Sequence, residues 1–119
     1  MIKVLLVDDS AAIRKAIKQF LPEKGAISVV GECSDGKDVL DFLSSNEVDV
    51  ILMDFSMKHV GGVEATGLVS KTHPTVKTIG FSSHTLETYK KDMLDAGASD
   101  YIVKGTEMKI IREIIKGIM

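Results

Sequence analysis

The chain has 119 residues, 45% of them hydrophobic and 27% charged, which suits one domain with a core that needs no staples. A net charge of −2 excludes the strong basic excess of a general nucleic-acid binder, and no apolar stretch reaches the ~18 residues of a membrane span. One cysteine, Cys33, excludes an internal disulfide framework, and no signal peptide is read at the N-terminus, so a cytoplasmic location is expected.

Strands and helices alternate five times. Residues 2–7 predict a strand that runs into Asp8 and Asp9. Ser10 is a cap for a helix to about Leu21, with Ile13, Ile17, Phe20 and Leu21 on one stripe. A strand runs from Ile27 to Gly31, with Cys33 just beyond it as a small buried residue. Asp35 opens a helix carrying Val39, Leu40 and Leu43. Residues 48–53 read as a strand buried on both faces, closed by Asp54. Lys58 to Gly62 is a loop, followed by a helix to about Lys71. Val76 to Phe81 is a strand ending in Ser82 and Ser83. A helix from about Thr85 carries Leu86, Tyr89 and Met93, with Gly97 as its C-terminal cap. Residues 99–103 form a last strand ending at Lys104. Thr106 caps a last helix with Ile110, Ile111, Ile114, Ile115 and Ile118 at a period of about 3.6 residues. This alternation predicts a parallel sheet covered by helices on both faces.

In such a fold Asp8, Asp9, Asp54 and Lys104 meet at the carboxyl edge of the sheet, where open α/β folds bind ligands. Three carboxylates brought together repel, and a hard divalent ion such as Mg²⁺ or Mn²⁺ relieves the repulsion. The bland alternative makes Asp8 and Asp9 helix-entry carboxylates and Lys104 a solvated lysine. Ser82 either donates to a phosphoryl oxygen or caps the helix after it. Gly31 to Lys37 has P-loop spacing, but Asp38 stands where Ser or Thr should hold Mg²⁺, and Glu32 and Asp35 would repel phosphate. His59, His73 and His84 show no metal-ligand spacing. Lys109, Arg112 and Lys116 read as a solvated basic face.

At these residues the chain resembles the receiver domain of bacterial two-component response regulators, over Ile2 to about Met119. The marks are Val7-Asp8-Asp9-Ser10, Met53-Asp54-Phe55-Ser56-Met57, Gly62, Ser82 and Gly97 to Lys104. The resemblance implies one receiver domain, residues 1–119, with a flavodoxin-like (βα)5 fold and sheet order 2-1-3-4-5. It implies that Asp54 is the phosphoacceptor and that Asp8, Asp9, Asp54 and the Ser56 backbone carbonyl hold Mg²⁺ or Mn²⁺. Lys104 pairs with the phosphoryl group, and Ser82 and Tyr101 are the switch residues. The partners implied are a histidine kinase or another phosphohistidine carrier, and a homodimer formed on phosphorylation.

Val29-Val30-Gly31-Glu32 and Gly62 to Thr66 are similar to receivers of the NarL/FixJ group, which usually precede a DNA-binding domain. These residues carry no such domain, so DNA contact is expected only through one outside them. Two departures stand out: Lys58 and Gly105 occupy positions where the family usually has proline. With Gly61 and Gly62 beside it, the Lys58 loop is expected to be poorly ordered, its Lys58 and His59 either in water or drawn to the acidic edge. Three alternatives remain open: a stand-alone receiver acting by protein–protein binding, an inert interaction module, and a small aspartate-nucleophile phosphohydrolase. The last needs Asp-x-Asp after the first strand, and here Asp8-Asp9-Ser10 stands there.

Overall fold

The structure, a computed structural model, describes residues 1–83 and 87–119. Its strands are β1 (Ile2–Val7), β2 (Ile27–Cys33), β3 (Val50–Met53), β4 (Lys77–Ser82) and β5 (Asp100–Val103). They form one parallel sheet in the order β2-β1-β3-β4-β5. The helices are α1 (Ala11–Phe20), α2 (Val39–Ser45), α3 (Gly62–Thr72), α4 (Glu87–Asp95) and α5 (Met108–Gly117). The flavodoxin-like order expected from the resemblance is the order observed.

The apolar runs explain the layering. Successive residues of a strand face opposite sides. Val4 and Leu6 of β1 and Val50 and Leu52 of β3 pack with Ile17, Ile111 and Ile115, so α1 and α5 cover that face. Leu5, Val7, Ile51 and Met53 pack on the other face with Val39, Leu43, Ala65, Val69 and Met93, from α2, α3 and α4. Of the five isoleucines expected on the last helix, Ile118 stands at the C-cap of α5, Ile111 and Ile115 are fully buried, and Ile110 is exposed. The five-residue stripe is therefore wider than the face that meets the sheet.

Several boundaries differ from expectation for visible reasons. β3 starts at Val50 because the Asp49 carboxylate, at 2.8 Å, takes the Lys3 N–H that a ladder carbonyl would otherwise accept. β2 runs on to Cys33, with an irregularity that lets Val4 pair with Val29 and Leu5 with Gly31. That extra residue in an edge strand breaks the alternation a sequence reading follows. A 3₁₀ turn, Gly36–Asp38, precedes α2, with Asp35 at its N-cap. Ser10 caps α1 as expected, its Oγ accepting from the Ile13 N–H at 3.2 Å.

Thr106 does not cap α5. Its hydroxyl donates to the Val103 carbonyl at 2.7 Å, closing the turn after β5, and Glu107 holds the N-cap position. At the end of α4, Gly97 has φ +117°, and Gly97 and Ala98 donate to the Leu94 and Met93 carbonyls at 3.0 Å. This is the double bond pattern of a glycine-terminated helix. The proposed start of that helix at Thr85, and Leu86 on it, lie outside the described residues.

Candidate functional site

Register builds the site. Val7 of β1 pairs with Met53 of β3, so Asp8 and Asp54 both stand one residue past the same row. Ser82 pairs with Val103, so Lys104 follows the last row of the other half-sheet. Asp8 and Asp54 are buried, and Asp9 is exposed. One carboxylate oxygen from each of the three lies within 4.8 Å of the others. Asp8 and Asp9 reach one side because the strand ends at Val7 and the chain turns there. The Asp8 carboxylate accepts from the Ser10 N–H at 2.8 Å, and Asp54 from the Phe55 N–H at 3.0 Å.

Lys104 ties the buried pair together, with its Nζ 2.7 Å from Asp8 Oδ2 and 3.2 Å from Asp54 Oδ1. Its ammonium also lies 5.8 Å from the centre of the Phe81 ring. Burial opposes the lysine charge, but the contact with Asp8 and the charges of both aspartates outweigh it and raise its pKa. Burial raises the Asp54 pKa from 3.8 to about 6, aided by the Asp8 charge and opposed by Lys104. One ammonium is thus too little for three clustered carboxylates.

The donor set fits a hard divalent ion. Asp8 Oδ2 is buried and takes no well-directed hydrogen bond among the described residues, only the ion pair. Together with the oxygens of Asp9 and Asp54, it offers the all-oxygen environment that Mg²⁺ or Mn²⁺ prefers. Ser56 sits two residues past Asp54 on the exposed side of the loop.

The remaining candidates surround this cluster. Ser82 is buried at the end of β4, and its carbonyl accepts from the Lys104 N–H at 2.8 Å. Tyr101 is half-buried; its ring lies so close over Gly80 that a Cβ there would stand 2.5 Å from Cδ1. Phe55 meets Tyr89 of α4 edge-on, with ring centroids 4.4 Å apart. The residue directly after Asp54 is thereby in contact with α4.

The loop over the site is tethered. Asp35 is buried at the end of β2, where its carboxylate accepts from the N–H groups of Lys37, His59 and Val60 at 3.0, 2.8 and 2.9 Å. Burial alone would raise its pKa, but these three donors outweigh burial and lower it to about 2. Gly62 serves close packing: a Cβ there would stand 2.0 Å from the Asp54 carbonyl oxygen. Lys58 and His59 are exposed, and no ion pair joins either to the acidic cluster among the described residues. Gly62 thus meets the demand of close backbone approach. Asp35→Ala should free the 58–62 loop and cost about 2 kcal/mol, the scale of lost bonds to a charged acceptor. Urea denaturation reads the cost, and hydrogen exchange at His59 and Val60 reads the loop; unchanged exchange would show that Asp35 is not the tether.

Other singled-out residues stay outside the cluster. Cys33 is buried, and burial lifts its thiol to about 11, which leaves it inert. Arg112 and Lys116 both pair with Glu23, so two members of the basic stripe are used within the chain. His73 contacts Thr72, away from the acidic residues. His84 lies outside the described residues. Sequence reasoning passed over Arg14, which donates to the Asp8 carbonyl at 2.6 Å and pairs with Glu32 at 2.7 Å. Its one signal is its place on α1 one turn past the Ser10 cap, beside the acidic edge.

The sequence matches the response regulator receiver domain family over residues 4–116. It is 38% identical over 118 residues to Response regulator UvrY of Escherichia coli (strain K12), covering 99% of this chain and 54% of that protein. It is also 38% identical over 115 residues to Response regulator protein VraR of Staphylococcus saprophyticus, covering 97% and 55%. The crystal structure of response regulator protein TrrA from Thermotoga maritima in complex with Mg(2+)-BeF matches at 26% identity with a TM-score of 0.87, over 100% of each chain. The chain belongs to the response regulator receiver domain family of two-component signalling. It spans about half the length of the curated relatives it matches. No helix among the described residues is long and apolar enough to cross a membrane.

Proposed function

We propose that this domain takes a phosphoryl group from a phosphohistidine onto Asp54 and thereby switches a surface that includes α4 and α5. The observation that carries the reading is the cluster itself: three aspartates within 4.8 Å, two of them bridged by one lysine, at the end of the central strands. Asp54 Oδ1 is held by the Phe55 N–H and Lys104, which leaves Oδ2 to attack phosphorus in line. The P–N bond to the donor imidazole breaks as the P–O bond to Asp54 forms, and the electron pair leaves on the imidazole. Lys104 then pairs with a phosphoryl oxygen in place of Asp54. Asp8, Asp9, Asp54 and the Ser56 carbonyl would hold Mg²⁺ or Mn²⁺, which offsets charge on the transferring oxygens. Ser82 donates to the new acyl phosphate, and Tyr101, resting on Gly80 of the same strand, repacks with it.

In this reading residues 1–119 are one receiver that assists its own phosphorylation and dephosphorylation but turns over no separate substrate. It works in the cytoplasm with a histidine kinase or phosphotransfer protein, pairs with a second copy once phosphorylated, and acts on transcription through a DNA-binding domain beyond these residues. Names of relatives such as Transcriptional regulatory protein DegU of Brevibacillus brevis support that output. Intact-mass measurement after acetyl phosphate treatment tests the site. One phosphoryl adduct should form with Mg²⁺ and none in EDTA. An undiminished adduct in EDTA would exclude the metal.

A further inference from the structure

We propose that Arg14 is a positioning residue for the acidic pair, clamping the Asp8–Asp9 peptide to β2 through Glu32 so that both carboxylates face one site. This rests on the reading of that cluster as a divalent-ion site.

The two aspartates are fixed very differently. The Asp8 carboxylate is held by the Ser10 N–H and by Lys104. No hydrogen bond holds the exposed Asp9 carboxylate among the described residues. Its direction follows from the peptide that precedes it. On its nitrogen side Asp8 still continues the sheet, since its N–H donates to the Cys33 carbonyl at 3.0 Å. Its carbonyl has left the ladder and accepts from Arg14 Nη1 at 2.6 Å. Arg14 Nε is in turn 2.7 Å from Glu32 Oε1, and Lys18 binds the other Glu32 oxygen. One planar guanidinium thus joins α1, the β1 terminus and the edge strand. A fork of fixed geometry performs this, whereas an ammonium is a single point charge. The Arg14 side chain is only 16% exposed, which favours one geometry over a solvated spread.

Electrostatics gives the idea a sign. Arg14 is a cation near a cation site, so by charge alone its removal should tighten divalent-ion binding. If its role is to hold the peptide, removal should weaken binding, because outer contacts that orient metal ligands set affinity. The two effects oppose each other, and a measurement of direction separates them.

The test titrates the metal-free protein with Mn²⁺ and follows free ion by electron paramagnetic resonance, for the parent, Arg14→Ala and Arg14→Lys. Arg14→Ala should weaken Mn²⁺ binding about tenfold, the scale reported for outer-shell changes. Arg14→Lys keeps the charge and the pairing with Glu32 but loses the fork. It should recover most of the thermal stability lost in Arg14→Ala while recovering little affinity. Unchanged or tighter Mn²⁺ binding in both variants, beside normal binding by the parent, would overturn the positioning role and leave the metal site standing. Full recovery of affinity in Arg14→Lys would reduce the role to charge and overturn it too. Absence of Mn²⁺ binding by the parent would overturn the metal reading and this inference together.

Discussion

Asp54→Asn should accept no phosphoryl group at all. An amide carries no anionic oxygen to attack phosphorus, so the effect is loss of the reaction, where a distant change would merely slow it. The substitution nearly preserves shape in a buried position, and the side-chain oxygen can still face the Phe55 N–H and Lys104. Loss of labelling would then reflect chemistry and not collapse of the site. Intact mass and peptide mapping after acetyl phosphate and Mg²⁺ decide the matter. Label on Asp8, Asp9 or a serine of the parent protein would remove Asp54 from its assigned role.

What could be read from sequence was whatever depends on one element at a time. The runs ending in Asp8 and Asp54 reveal two buried strands because burial on both faces leaves a continuous apolar stretch. Their meeting depends on the Val7–Met53 register, which no local pattern encodes; the resemblance supplied it. Arg14 and Asp35 were missed or undervalued for a related reason. Each acts on backbone groups of another element, the Asp8 carbonyl in one case and the His59 and Val60 amides in the other. A side chain that serves a distant backbone leaves no mark at the position it serves. Gly61 and Gly62 misled in the opposite way. Glycine signals either freedom or close approach, and only the 2.0 Å distance from a Gly62 Cβ to the Asp54 carbonyl shows which applies. Thr106 was legible as a cap type, but a hydroxyl can donate as well as accept, and the Val103 carbonyl claimed it.

The metal-free protein should become more stable as pH falls from 7 toward 4, and Asp54→Asn should remove that trend. The folded Asp54 pKa is raised from 3.8 to about 6, so between those values the folded state binds more protons than the unfolded one. Stability therefore falls as pH rises through this window, and the ionised carboxylate costs about 3 kcal/mol above it. The cause is burial first and the Asp8 charge second, only partly offset by Lys104. Asp35 works in the opposite direction at lower pH. Its folded pKa is depressed to about 2, so its contribution is complete above 3.8 and is lost as pH falls toward 2. Stability should thus peak at about pH 4 as far as these two groups decide it. Urea denaturation in EDTA, at pH 5 and pH 7.5, compares the parent with Asp54→Asn. The variant's advantage should grow between the two values, toward about 3 kcal/mol at the higher one. Subtracting parent from variant cancels histidine titration common to both. Millimolar Mg²⁺ at pH 7.5 should stabilise the parent, since a cation bound to the folded state offsets the repulsion. An advantage that is absent, or equal at both pH values, would mean that the Asp54 carboxylate is not strained in the folded protein, and that its cluster is already neutralised without a metal.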